Sequence, residues 1–309
     1  MQKIILNIIW LGILLGHALP ANAYVCSRVP DTTGAENGPS LSWYSRAVEY
    51  SIAAEGLLDV GQSVLGEIFE SSFDAWSDAE VPDNCDSSQA TRETDLRFEA
   101  NTCCSSATTV GYNFLTPNEN ENLLIFRDTW PHPQQAGSVI ALTTTTYNSL
   151  SGEIFDADVE FNSEDFDFTV SDTQNNIKTD LMNTAVHEIG HVLGLGHTSV
   201  SGATMEASAE IGETKKRTLN CDDSSAITYK YPSGFENDYC EITESSCNPT
   251  CAPPENLDRN VLISVAGYDD GIDEGLGCQS GTNNSLWLTL LLTSGIVFYR
   301  KRKISKQQT

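Results

Sequence analysis

Between Thr179 and His197 the chain reads TDLMNTAVHEIGHVLGLGH, and three histidines there stand at spacings that could hold one metal ion. His187 and His191 are four residues apart, which on a helix puts both imidazoles on one face about a turn from each other. Glu188 lies one position round, beside the ion instead of in its ligand set. Thr179 or Asp180 offers an N-cap oxygen to the first-turn amides. Gly194 permits the positive φ that ends a helix, so the chain can turn back and bring in His197 as a third nitrogen donor. Three neutral imidazoles suit one Zn2+ and leave its fourth tetrahedral position to water. The ion lowers the pKa of that water towards about 7, and a carboxylate in reach can take the proton. The expected chemistry is hydrolysis, with His187, His191 and His197 as metal ligands and Glu188 as the general base. A bare His-Glu-x-x-His also occurs in unrelated helices; Gly194 and His197 at the right steps make this one specific. Of five histidines, His17 falls in the leader described below and three are in this run, which leaves His132 uncommitted.

The elements around this run must form a platform for it. Leu41 to Ile52, with Trp43, Tyr44, Val48 and Tyr50, predicts a first strand. Val64, Leu65, Ile68, Phe69, Phe73 and Trp76 recur at helical steps and predict an amphipathic helix over 64–76. Strands are expected at 95–100, at 123–126, in the β-branched run SVIALTTTTY (138–147) and in the alternating stretch 153–161. An acidic, Asn-rich loop follows at 162–176. One mixed α+β domain thus occupies 24–232. Residues 233–277 lose the periodic apolar pattern and turn rich in Pro, Asn, Asp and Cys. They read as a disulfide-pinned extension or linker.

Lys3, the apolar run Ile4–Leu19 and Ala21-Asn22-Ala23 form an export signal over 1–23, so the protein is expected outside the cell or on its surface. All 43 acidic residues lie between Tyr24 and Gly277, against 11 Lys and Arg. Such an excess repels phosphates and anionic lipid, which excludes nucleic acid as a partner. The nine cysteines agree with export, because disulfides persist in oxidising surroundings. Five cysteines of the main domain and three of the extension cannot all pair within their own segments. At least one bridge must then join the two, and Cys221 to Cys240 is the nearest pair. Leu286 to Tyr299 is apolar for 14 residues and is followed by Arg300-Lys301-Arg302-Lys303. A bilayer span takes roughly 17 to 25 residues, so the tail 278–309 reads either as a sorting signal that is cut away or as an anchor giving membrane contact.

HEIGHVLGLGH matches the H-E-x-x-H-x-x-G-x-x-H signature, and the chain from about Ser40 to Pro232 resembles bacterial matrixins, a branch of the metzincins. The likeness extends to Ser72-Phe73-Asp74-Ala75-Trp76, to GEIFDADVEFN (152–162), and to Arg217-Thr218-Leu219 leading through Asp222-Asp223 to Tyr231-Pro232. Met205 stands where such proteins place the Met-turn under the zinc. The resemblance implies a two-lobed fold: a twisted, mostly parallel sheet above an active-site helix, with a C-terminal sub-domain below the cleft. It implies a zinc endopeptidase acting on protein or peptide substrates, and a sheet edge at Val139–Thr143 that pairs with an extended substrate. A catalytically silent surface protein used for adhesion is the alternative. Animal matrixins carry a second, histidine-rich zinc; with Leu142 near one of its places and only His132 spare, it cannot be assembled here. Asp156 and Asp158 resemble a Ca2+-binding stretch, or else form a solvated acidic strand face. Cys26 is expected in a disulfide instead of capping the zinc. The tail, with Gly277-Cys278 ahead of its apolar stretch, resembles the C-terminal sorting tails of myxobacteria.

Overall fold

The β-branched run SVIALTTTTY does form a strand, and the other alternating stretches fall in beside it. A computed structural model describes residues 24–85, 93–170 and 177–234, together with the backbone of short strands at 241–242, 249–250 and 261–269. Residues 1–23, expected as an export leader, and the apolar tail 278–309 lie outside the described residues. In chain order the principal elements are β1 (Ala47–Ala53), α1 (Gln62–Ser77), β2 (Arg97–Ser105), β3 (Leu123–Arg127), β4 (Val139–Asn148), β5 (Ile154–Asn162), α2 (Leu181–Val192), α3 (Cys221–Lys230) and β6 (Val261–Asp269). No described helix is long and apolar enough to cross a membrane.

Six strands form one sheet in the order β6-β4-β5-β3-β1-β2. β1 runs parallel to β2 and β3, and β3 parallel to β5. β4 is antiparallel to β5, and β6 antiparallel to β4. The sheet is therefore mostly parallel, as expected. Parallel neighbours need crossover connections, and α1 supplies the one between β1 and β2. Leu65, Phe69, Phe73 and Trp76 recur along α1 and are fully buried or nearly so, which joins the helix to one core with Phe126 and Phe161 of the sheet and Ala185, Val186 and Ile189 of α2.

Two sequence expectations need correction. The first strand begins at Ala47, not Leu41; Leu41 and Trp43 are instead core side chains. Their backbone serves other ends, since Leu41 carbonyl accepts from Lys230 Nζ and Trp43 N–H donates to Tyr231 Oη. The second correction concerns 233–277. A nine-residue strand, β6, lies within it and joins the sheet of the main domain. Its β-branched start, Val261-Leu262-Ile263 and then Val265, was the available signal.

Cysteine pairing also differs from the nearest-neighbour expectation. Cys221 bonds Cys85 across 136 residues, with Cα atoms 5.5 Å apart. The start of α3 thus lies against the segment that follows α1, which Thr94 and Pro232 also join in a β-bridge. A cross-link over so long a loop stabilises by roughly 2–5 kcal/mol. Cys26 is disulfide-bonded, as expected.

Candidate metal centre

Asp180 starts the helix that carries the site. Its carboxylate accepts the Asn183 amide at 2.7 Å and a forked pair from Arg217, Nε at 2.8 Å and Nη2 at 2.5 Å. The N-cap and a bidentate Arg–carboxylate pair are therefore one device. At the other end the last carbonyls of α2 have fixed partners. Trp43 Nε1 donates to Val192 O at 2.8 Å, and Tyr231 Oη donates to Leu193 O at 3.0 Å. Trp76 Nε1 reaches Val186 O at 2.8 Å from α1. These bonds explain why Trp43, Trp76 and Tyr231 belong with the motif. Gly194 follows with φ +76, and a Cβ there would lie 2.2 Å from the Leu41 carbonyl oxygen. Only glycine fits this corner.

Beyond the corner the chain returns, and His197 meets the two helical histidines. His187 Nε2 is 3.2 Å from His197 Nε2, and His191 Nε2 is 3.1 Å from it. One ligand atom from each of the three lies within 4.8 Å of the others. No other cluster of this kind occurs among the described residues. The outer nitrogens are engaged: His187 Nδ1 with Thr204 O at 2.6 Å and His191 Nδ1 with Leu195 O at 2.8 Å. A carbonyl can only accept, so both Nδ1 atoms carry the proton and both Nε2 lone pairs face inward. Burial pushes His187 well below the usual imidazole range, and it brings His191 down to about 4. Burial, then the proximity of His191 and of the Lys216 amine, brings His197 down to about 2. Neutral imidazoles with convergent lone pairs are the donor set that Zn2+ requires, so the triad could bind it.

Glu188 is fully buried beside them. Its Oε2 accepts from Thr143 Oγ1 at 2.6 Å, and the same hydroxyl lies 3.3 Å from the Glu188 carbonyl oxygen. Oε1 has no protein partner. Burial raises the carboxyl to about 8, with the Thr143 bond and then the Lys216 amine acting the other way. A cation held by the histidines would also lower it.

Below the histidines, Met205 is buried and its sulfur fills the space over Gly190, where a Cβ would stand 2.2 Å from Sδ. The turn that holds it is pinned by Asp223, whose Oδ2 accepts from Thr204 N at 2.7 Å and whose Oδ1 accepts from Met205 N at 3.0 Å. Asp223 also completes a capping box with Asn220 at the start of α3. One carboxylate thus ties α3 to the turn whose Thr204 carbonyl orients His187.

The matrixin family model matches residues 42–232, more than half of the chain. The chain belongs to the matrixin family. Similar proteins include the metalloendoproteinase 4-MMP of Arabidopsis thaliana, 36% identical over 93 residues that make up 30% of this chain and 26% of that protein. The metalloendoproteinase 2-MMP of the same plant is 38% identical over 121 residues, 39% of this matrixin and 27% of the relative. Human stromelysin-3 is 31% identical over 120 residues, 36% of this chain and 20% of the relative. This matrixin therefore matches about a quarter or less of the length of each of these relatives.

Every site residue expected from the sequence comes together at this centre. Three further ones were missed. Thr143 is expected from the sequence as the end of the substrate-pairing edge, with nothing to suggest its bond to Glu188. Asp223 was noted within a resembling stretch without a role, although Asn220-x-x-Asp223 is a legible capping box. Lys216, fully buried with its Nζ donating to Glu206 O, carries no sequence signal, because a lysine between Lys215 and Arg217 looks like part of an exposed basic patch. His132 is held apart from the centre, 3.1 Å from Glu160, which also accepts from Arg127.

Proposed function

We propose that this matrixin is an exported zinc endopeptidase that cleaves extracellular or cell-surface proteins, with His187, His191 and His197 holding the metal and Glu188 handling the proton. The convergence of three Nε2 atoms beside a buried carboxylate is the observation that carries it. Zinc bound there supplies a polarising centre for a peptide carbonyl and acidifies bound water. Thr143 holds Glu188 Oε2 in place, leaving Oε1 as the atom that takes a proton and returns it to the departing amine. The names of the plant relatives, both metalloendoproteinases, support the same reaction class. Asp223 and Met205 keep His187 aligned from below, and we read residues 195–232 as the lower lobe of a two-lobed catalytic domain over 24–232. An extended substrate would add to the outer edge of β4, whose Thr143 already touches Glu188.

The apolar leader and A-x-A site support export with removal of 1–23. The spacing of Gly277-Cys278, apolar stretch and basic end supports a tail over 278–309 that sorts or anchors the body, as in bacterial sorting tails. Calcium at Asp156 and Asp158 draws less support. Both Asp158 oxygens accept backbone amides, from Gly111 at 2.6 Å and Leu123 at 2.8 Å, while only Oδ2 of Asp156 is without a protein partner. Burial, followed by the neighbouring Asp158 charge, raises the Asp156 carboxyl well above the usual carboxylate range.

Metal dependence tests the central reading. The full chain treated with a chelator should stop hydrolysing unfolded protein, and one equivalent of zinc should restore the rate. Undiminished cleavage by metal-free chain would exclude the proposal, and so would zinc binding with no hydrolysis of any protein substrate.

A further inference from the structure

We propose that Val261–Asp269 occupies the substrate's seat on the sheet, so that the full chain holds its own cleft closed. The inference rests on the peptidase reading above and extends it to regulation. β4 has two edges. One is paired with β5 from Ala141 to Tyr147. The other would receive an extended peptide, and it is already filled: β6 runs antiparallel to β4 from Val261 opposite Asn148 to Asp269 opposite Val139. Ala266 stands opposite Thr143, the residue whose hydroxyl is bonded to Glu188. β6 also comes within 8 Å, Cα to Cα, of the helix that carries His187 and His191. It thus passes the point where the scissile bond of a substrate would lie.

A backbone edge can pair with one strand at a time, so β6 and a substrate exclude each other. The contest is unequal because β6 is tethered. A strand carried on the same chain competes intramolecularly, at an effective concentration on the order of millimolar, well above that of a dilute protein substrate. Removing or cutting the C-terminal extension would therefore act as a switch, opening the edge without altering any residue of the metal centre.

Val265→Pro and Ala266→Pro, made together in the full chain, test this. Two adjacent prolines delete both amides, so whichever one faces β4 is lost, and neither fits a paired strand. Hydrogen exchange of the 139–148 amides should quicken in the variant. A synthetic peptide of sequence VLISVAGYD, added at millimolar concentration, should restore protection in the variant and change nothing in the parent. On a peptide substrate, kcat/KM should rise about tenfold, mostly through KM, as expected when a tethered competitor is removed. Zinc content equal in the two chains shows that the centre is intact. Unchanged exchange at 139–148, or faster exchange with kcat/KM unaltered in an active enzyme, would overturn the proposal. If neither chain cleaves while the exchange and peptide results hold, the strand's occupancy stands and the peptidase reading is what fails.

Discussion

Glu188→Gln should bind zinc as tightly as the parent and cleave protein substrates about a thousandfold more slowly, within the range set by loss of a general acid–base group. The glutamine amide matches the shape of the carboxylate and can keep the Thr143 contact, which the parent makes at 2.6 Å. It cannot take a proton. Zinc affinity is expected to hold because the three ligand nitrogens and their carbonyl partners at Thr204 and Leu195 are untouched. Steady-state kinetics should show the loss in kcat and kcat/KM together, the sign of a group used in the transition state. Zinc content measured on the same preparation separates this from a damaged site. A variant that kept most of the parent's rate would remove Glu188 from the reaction.

Asp223→Ala is expected to damage stability and metal binding together, although it touches no metal ligand. Three amides depend on this carboxylate: Thr204 at 2.7 Å, Met205 at 3.0 Å and Asn220 at 3.1 Å. Asp223 itself is buried, 1% exposed, so alanine would leave the Thr204 and Met205 amides without a partner or a route to solvent. Hydrogen bonds to a charged group contribute about 1.5–3 kcal/mol each and do not add fully. A loss of about 3–4 kcal/mol follows, which for a domain of this size lowers Tm by roughly 6–16 °C. The Thr204 carbonyl would also release His187 Nδ1, and loss of such a support weakens metal affinity by about 10- to 100-fold. Thermal unfolding of the zinc-loaded and zinc-free forms measures both effects. A Tm within a degree or two of the parent would show that the turn does not depend on Asp223.

The local patterns that set this fold were legible where the physics is local. Helical spacing placed α1 and α2, alternation placed β2 and β5, a β-branched run placed β4, and the motif carried all four residues of the centre. Long-range contacts were not legible. Thr143 meets Glu188 only because β4 crosses above α2, and a strand residue's distant neighbour leaves no trace in its own surroundings. Cys221 looked nearest to Cys240 along the chain, yet packing puts Cys85 beside it. The strand in 233–277 was not legible because it is set among Pro, Asn and Asp, and a strand that completes another segment's sheet needs no partner of its own nearby. Lys216 left no signal: a lysine between Lys215 and Arg217 gives no hint that the fold buries its stem and hands its amine to the Glu206 carbonyl.

Zinc K-edge X-ray absorption on the zinc-loaded full chain tests the central claim most directly. Three imidazole nitrogens at about 2.0–2.1 Å, with one oxygen ligand, is the expected shell. A sulfur neighbour near 2.3 Å, or fewer than three imidazoles around the ion, would show that His187, His191 and His197 do not share the metal.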